Sequence, residues 1–225
     1  MWTEKIGFFK TYVGRPETDW ARGCAMNLLG NGLFAAQHGE DAVSVREAEL
    51  SLRRRLGASE RNLLAVQANL ASSYQLIGRL EDALSAERDI YSRRLKICGE
   101  DSHDALVETL NLALILRNTG NKPEAKELLR ARIPVAERSL GREDYVYFRL
   151  RWLYAVSLVD AASTTTLGDL VQAEALLDDT YTRFRRVMGD GHPDTPRIHK
   201  RLLEIRGVLA RARKCPQCAR ASSHA

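Results

Sequence analysis

Three observations predict an all-α fold: a right-handed superhelical solenoid of about four antiparallel helical hairpins plus a C-terminal capping helix. Leu, Ala, Arg and Glu dominate the chain, and only six of its 225 residues are proline, so helix is the expected local structure. Glycines recur at a fixed interval: Gly57, Gly99 and Gly141 lie 42 residues apart, and Gly189 follows after 48. Within each interval apolar residues return at spacings of three and four, the period of an amphipathic helix. Self-similarity of this length marks stacked supersecondary units, each of which needs its neighbours to bury its apolar face.

In chain order, residues 1–13 ("MWTEKIGFFKTYV") resemble the closing part of a second helix, so they read as the tail of a partial preceding repeat or as an N-terminal cap. The stronger expectation is that the chain is a piece of a longer array. Residues 14–56 form a divergent first repeat, in which Val13-Gly14 corresponds to Leu56-Gly57, Asn27-Leu28 to Asn69-Leu70, and Ala42 to Ala83. Residues 57–98 form the second repeat. Its first helix carries Leu63, Val66, Leu70, Ala71, Tyr74 and Ile77; Gly78 ends it as a left-handed residue, and Leu80 to Ile97 return. Residues 99–140 form the third repeat, where Asn111-Leu112-Ala113 repeats Asn69-Leu70-Ala71 and Pro123 follows Gly120 at a helix start.

Residues 141–188 form the fourth repeat. The series Gly78, Gly120, Gly168 and the series Ala83, Ala125, Ala173 both run 42 and then 48 residues, which places a six-residue insertion between Ala155 and Gly168. Residues 189–213 supply the capping helix, from Pro193 through Arg213, and residues 214–225 a disordered basic tail with a Cys-x-x-Cys pair.

The alanines at 71 and 113, the apolar residues three later (Tyr74, Leu116), the glycine and the alanines at 83, 125 and 173 resemble a tetratricopeptide repeat. The 42-residue period and the linkers "LKICGEDSHDALVETLNLA" and "VMGDGHPDTPRI" are similar to the kinesin light chain variety of that repeat. The resemblance covers about residues 14–210. It implies a non-enzymatic scaffold, a protein–protein interaction module that holds a peptide or partner segment in its concave groove.

Carried over by position, the groove presents Ala68, Ser72 and Gln75 from the second repeat, Leu110, Leu114, Arg117 and Asn118 from the third, and Arg149, Trp152 and Val156 from the fourth. Positions spaced by four and three share one helix face, so each group is geometrically coherent. An indole and two leucines flanked by arginines suit a peptide with an apolar anchor and acidic residues; Trp and Arg are also frequent interface anchors. Packing between neighbouring hairpins is the competing role for Trp152 and Leu110. Asn69 and Asn111 stand where this repeat often carries asparagine, with amides suited to a bound peptide backbone or to local backbone groups.

Charge and cysteine usage narrow the alternatives. The net charge of +5 sits in the C-terminal segment: from Gly189 onward there are eight Lys or Arg and three Asp or Glu, leaving 26 of each sign before it. Docking of that basic tail on an anionic partner is one alternative reading, although nucleic acid is not the expected ligand. The clusters Arg53–Arg55, Arg93-Arg94 and Arg183–Arg186 fall near the ends of second helices, where they complement the helix dipole on solvent faces. Acidic residues alternating with Arg are expected on solvent faces too.

Four cysteines (Cys24, Cys98, Cys215, Cys218) are too few for a disulfide scaffold, and the N-terminus lacks an export signal, so a reducing, cytoplasmic setting is expected. Cys215 and Cys218, with His224 as a third ligand, resemble the opening of a MYND-type zinc finger cut short, so a repeat array attached to a zinc-binding effector tail is another alternative reading; a closed site needs four ligands, and no metal or other cofactor is expected of this chain. The histidines (His38, His103, His192, His199, His224) are scattered, no phosphate-binding glycine loop or HExxH is present, and no apolar run reaches a membrane-spanning length. No enzymatic activity is expected.

Overall fold

The computed structural model of the chain describes residues 20–159 and 165–214. Among them are nine helices and no strand: α1 Trp20–Ala35, α2 Gly39–Arg55, α3 Glu60–Leu76, α4 Leu80–Cys98, α5 His103–Asn118, α6 Lys122–Leu140, α7 Tyr145–Leu158, α8 Leu167–Met188 and α9 Asp194–Lys214. Most connections are only a few residues long, which turns each helix back antiparallel to the one before. The chain divides into two compact units, Met1–Ile97 with α1 to α4 and Cys98–Ala225 with α5 to α9.

Among the described residues of the first unit, small apolar clusters hold the hairpins. Met26, Val45 and Leu52 join α1 to α2, Val43, Leu50, Val66 and Leu70 join α2 to α3, and Leu64, Ala71 and Ile90 join α3 to α4. The start of α2 passes so close to the end of α3 that a Cβ on Gly39 would lie 2.4 Å from Ile77 Cγ2, so only glycine fits there. Gly78 takes φ +79 just past α3, and its N–H and that of Arg79 bond back to the carbonyls of Gln75 and Tyr74, closing the helix end.

The second unit has one continuous core. Leu106, Ile115, Leu116, Leu129, Phe148, Leu150, Leu177 and Phe184 are fully buried, and Phe148 meets Phe184 edge-on at 5.4 Å between ring centres. Side-chain caps set the helix starts: Ser102 accepts from the Ala105 N–H, and Asp144 from those of Val146 and Tyr147. Ile198, Leu202, Ile205 and Leu209 form one apolar stripe that seats α9 on this core. Pro134 lies inside α6, which continues through it although proline donates no backbone hydrogen bond. No helix among the described residues is long and apolar enough to cross a membrane.

Gly168 keeps the repeat interval and lies in the first turn of α8, which a reciprocal capping box between Thr166 and Asp169 starts at Leu167. The connection between Leu158 and Thr166 falls between Ala155 and Gly168. Two expectations need correction.

Acidic residues do not all face solvent: Glu49, Glu87, Glu108 and Asp194 are at most 4% exposed. Glu49 accepts from Arg53 Nε at 2.7 Å, and Asp194 holds three donors, so these carboxylates exchange water for protein partners.

The basic clusters are likewise only partly a solvated surface. Arg94 is buried, Arg93 ties α4 to Glu60 on α3 at 2.8 Å, and Arg183, Arg185 and Arg186 pair with Asp179, Asp190 and Glu143.

Candidate functional site

A pocket of about 470 Å³ opens in the second unit between α5, α7 and α9. Three helix faces build it, each from residues three or four apart: Leu110, Leu114 and Arg117 on α5; Arg149, Trp152, Leu153 and Val156 on α7; Arg197, Lys200, Arg201 and Glu204 on α9. Leu110 and Leu153 belong to the buried core and reach the pocket with one edge, while Leu114 and Trp152 are half-buried against that core. Leu110 therefore both packs and lines. Five cationic residues and one carboxylate surround this apolar floor.

The cation on α7 is fixed by its surroundings. The Arg149 guanidinium lies over the Trp152 ring at 5.3 Å and over Tyr145 at 5.9 Å, both within the range of cation–π attraction. Its Nη1 donates to Asp194 Oδ2 at 3.0 Å and to Tyr145 Oη at 3.2 Å. Tyr145 Oη donates to the same carboxylate oxygen at 2.8 Å, and Arg197 Nη1 donates to the other at 3.2 Å.

Burial pushes the Asp194 carboxyl up, but the Tyr145, Arg149 and Arg197 donors outweigh it and hold the group below its ordinary value. Burial and the Asp194 hydrogen bond raise the Tyr145 phenol. Asp194 also occupies the first turn of α9, where a negative charge is favourable, and its N–H donates to His192 Nδ1 at 3.1 Å. One buried carboxylate thus pins α9 to α7 at the edge of the pocket.

On α9 the cations differ in engagement. Arg201 Nη1 donates to Glu204 at 2.9 Å, and Lys200 is exposed with no ion-pair partner among the described residues.

Of the residues that position and spacing nominate, Leu110, Leu114, Arg117, Arg149, Trp152 and Val156 meet in this pocket. Asn111 and Asn118 share α5 but do not line it. The Asn111 amide donates to Glu108 Oε2 at 3.0 Å on its own helix, and Asn118 is exposed at the end of α5. Asn69 and Gln75 are half-buried on α3 in the first unit; the Asn69 carbonyl accepts from the buried Arg46. Nearby, Ser72 donates to the Ala68 carbonyl at 3.1 Å.

Sequence reasoning did not nominate the α9 wall. The signal available was the basic run Arg197, Lys200, Arg201, which flanks the apolar stripe. Cys215, Cys218 and His224 lie outside the described residues, and among those described no three His, Cys, Asp or Glu gather as a metal site. His192 and His199 have packing roles, against Phe184 at 5.1 Å and stacked on Tyr181 at 4.7 Å.

A family model described as tetratricopeptide repeat matches residues 63–104, 109–144 and 161–194. Among solved structures, the nearly identical TPR-like repeats of a Podosopora anserina kinesin light chain protein are similar, at 19% identity and a TM-score of 0.65, over 88% of this chain and 92% of that one. A point variant of the same protein gives 18% identity, a TM-score of 0.66 and the same coverage. BtubC (BKLC) from P. vanneervenii gives 15% and 0.56, over 82% of this chain and 80% of that one. A search of curated proteins finds none that matches. At these identities the structures share a fold, and the repeat itself is in general a non-enzymatic interaction module that binds protein partners. With three matched repeats in tandem and that shared fold, the chain belongs to the tetratricopeptide-repeat proteins.

Proposed function

We propose that this protein is a cytoplasmic adaptor that holds an acidic segment of a partner protein, anchored by an apolar side chain, in the pocket between α5, α7 and α9. The observation that carries the reading is the pocket's composition: Trp152, Leu114 and Val156 beside five cationic residues and a single carboxylate. The apolar floor supplies contact area that water leaves readily, and the cations favour a ligand of opposite charge and raise its rate of encounter. On this reading the groove belongs to the repeats at 99–140 and 141–188 and to the helix that follows them. A packed indole at the centre of a pocket is the usual place for a dominant anchor, so Trp152→Ala is expected to weaken a partner by roughly 2 kcal/mol.

The test compares affinity capture from the source cell's lysate by the chain and by its Trp152→Ala, Arg117→Glu variant, after circular dichroism shows both helical. A partner held by the first and lost by the second, and released as salt rises, is the expected result. Identical capture by both overturns the pocket as the binding surface.

A further inference from the structure

α9 is the wall of the pocket that differs most from the repeats. Its face toward the pocket, Arg197, Lys200, Arg201 and Glu204, carries no apolar side chain, whereas α5 presents Leu110 and Leu114 ahead of Arg117. We propose that α9 reads the charge of the bound segment: the ligand's carboxylates lie against Lys200 and Arg201, and its apolar side chain lies toward Leu110 and Leu114 across Trp152. This rests on the acidic-segment reading and gives that ligand a direction, apolar end toward α5 and acidic end toward α9.

The asymmetry follows from how α9 is built. Ile198, Leu202, Ile205 and Leu209 seat α9 on the core, which fixes where the flanking face of Arg197, Lys200, Arg201 and Glu204 points, while Leu203 and Val208 stay exposed. The pocket's cations are not equally free to meet a ligand. Arg149 is already bonded to a buried carboxylate and a phenol, and Arg197 shares that carboxylate. Lys200 has no ion-pair partner among the described residues, and Arg201 Nε is buried without a hydrogen-bond partner there, although its Nη1 reaches Glu204. An incoming carboxylate therefore displaces less at Lys200 and Arg201 than at Arg149 and Arg197. Asp194 and Glu204 offset part of this wall's charge, which suits one or two carboxylates rather than a long polyanion.

The test pans a phage-displayed library of random dodecapeptides on the full chain and on its Lys200→Glu, Arg201→Glu variant, each first shown to be helical. The chain is expected to select peptides with Asp or Glu beside a large apolar residue. Made synthetically, those peptides are expected to bind the double variant about tenfold or more weakly and Lys200→Gln several-fold more weakly. Replacing their acids by amides is expected to abolish the effect of Lys200→Gln while leaving that of Leu114→Ala, as a double-mutant cycle requires of a specific pair.

Acidic peptides that bind the double variant undiminished overturn the role of α9 and leave the acidic-segment reading standing. Selection without acidic enrichment, or no selected peptide at all, overturns both. Should the double variant lose its helicity, Lys200→Gln alone decides, and unchanged binding to it overturns the proposal.

Discussion

The two units write their hairpin interiors in different chemistry on the same spacing. Counting from the small alanine near the start of each second helix, the positions four, seven and eleven residues later face inward. After Ala42 these are Arg46, Glu49 and Arg53, and after Ala83 they are Glu87, Ile90 and Arg94. After Ala125 they are Leu129, Arg132 and Ala136, and after Ala173 they are Leu177, Thr180 and Phe184. Arg46, Glu49, Glu87 and Arg94 are all at most 5% exposed, so the first unit buries charge where the second mostly buries hydrocarbon. The repeat thus specifies which positions turn inward and tolerates two ways of filling them. A buried charge costs desolvation that only good partners offset, whereas an apolar side chain at the same place stabilises directly. The pocket proposed to bind a partner stands in the apolar unit, where the core holds Trp152 and Arg149 in place.

The largest effect that tests this contrast is Phe184→Ala. Phe184 is fully buried, meets Phe148 edge-on at 5.4 Å and packs on Tyr145 and His192, the residues beneath the Arg149–Asp194 contact. Truncation removes the ring's burial and leaves a cavity, so a loss of about 3–5 kcal/mol is expected in denaturant unfolding. A loss below about 1 kcal/mol would mean that the second unit does not depend on its apolar interior.

Arg46→Met sharpens the other side. Arg46 donates to the Asn69 carbonyl, to Ser73 Oγ and to Asn31 Oδ1 at 3.1 Å, and its side chain lies over Phe34 at 5.1 Å. Burial lowers its pKa against the opposing pull of Glu49, a sign that the charge is not fully compensated. Methionine keeps much of the volume and removes the desolvated charge, and Ser73 retains its bond to the Asn69 carbonyl at 3.4 Å. The expected change is within about 1 kcal/mol of the parent in either direction, measured by the same unfolding. A loss as large as that of Phe184→Ala would show that the charged interior stabilises as strongly as the apolar one.

Which parts of this were readable beforehand follows from what periodicity encodes. The spacing of the glycines and alanines locates helix ends and helix–helix contacts, because both depend on residue size and backbone freedom at single positions. For the same reason the α5 and α7 faces of the pocket could be placed from the offsets of Leu110, Leu114, Arg149 and Trp152 relative to Ala113 and Ala155. The α9 wall was hidden because Arg197, Lys200 and Arg201 look like any solvated helix surface until the Asp194 contacts fix them beside Trp152. The charged interior of the first unit was hidden likewise: Arg and Glu three or four residues apart read as an exposed helical pair. Only the packing of α1 and α3 around α2 shows that Arg46 and Glu49 face inward.

The smallest effect concerns the first hairpin, whose turn departs from those after α3 and α5 by one residue type. Gln37 adopts φ +63 and is the only non-glycine with positive φ among the described residues. Its N–H bonds to the Phe34 carbonyl at 3.0 Å and that of His38 to Leu33 at 2.9 Å, the same closure that Gly78 and Arg79 make at 3.1 and 2.9 Å after α3. The backbone therefore adopts the glycine conformation without the glycine, at a cost of roughly 1–2 kcal/mol for an L-residue. Gln37→Gly relieves that strain but frees the unfolded chain by about 0.5–1 kcal/mol, so a net gain of about 0.5 kcal/mol is expected. The reverse change, Gly78→Gln, should cost about 1 kcal/mol or more, since it imposes the same strain where none exists. If Gln37→Gly instead destabilises, the glutamine side chain itself must hold this turn, and the first hairpin is closed by a device that the turns after α3 and α5 lack.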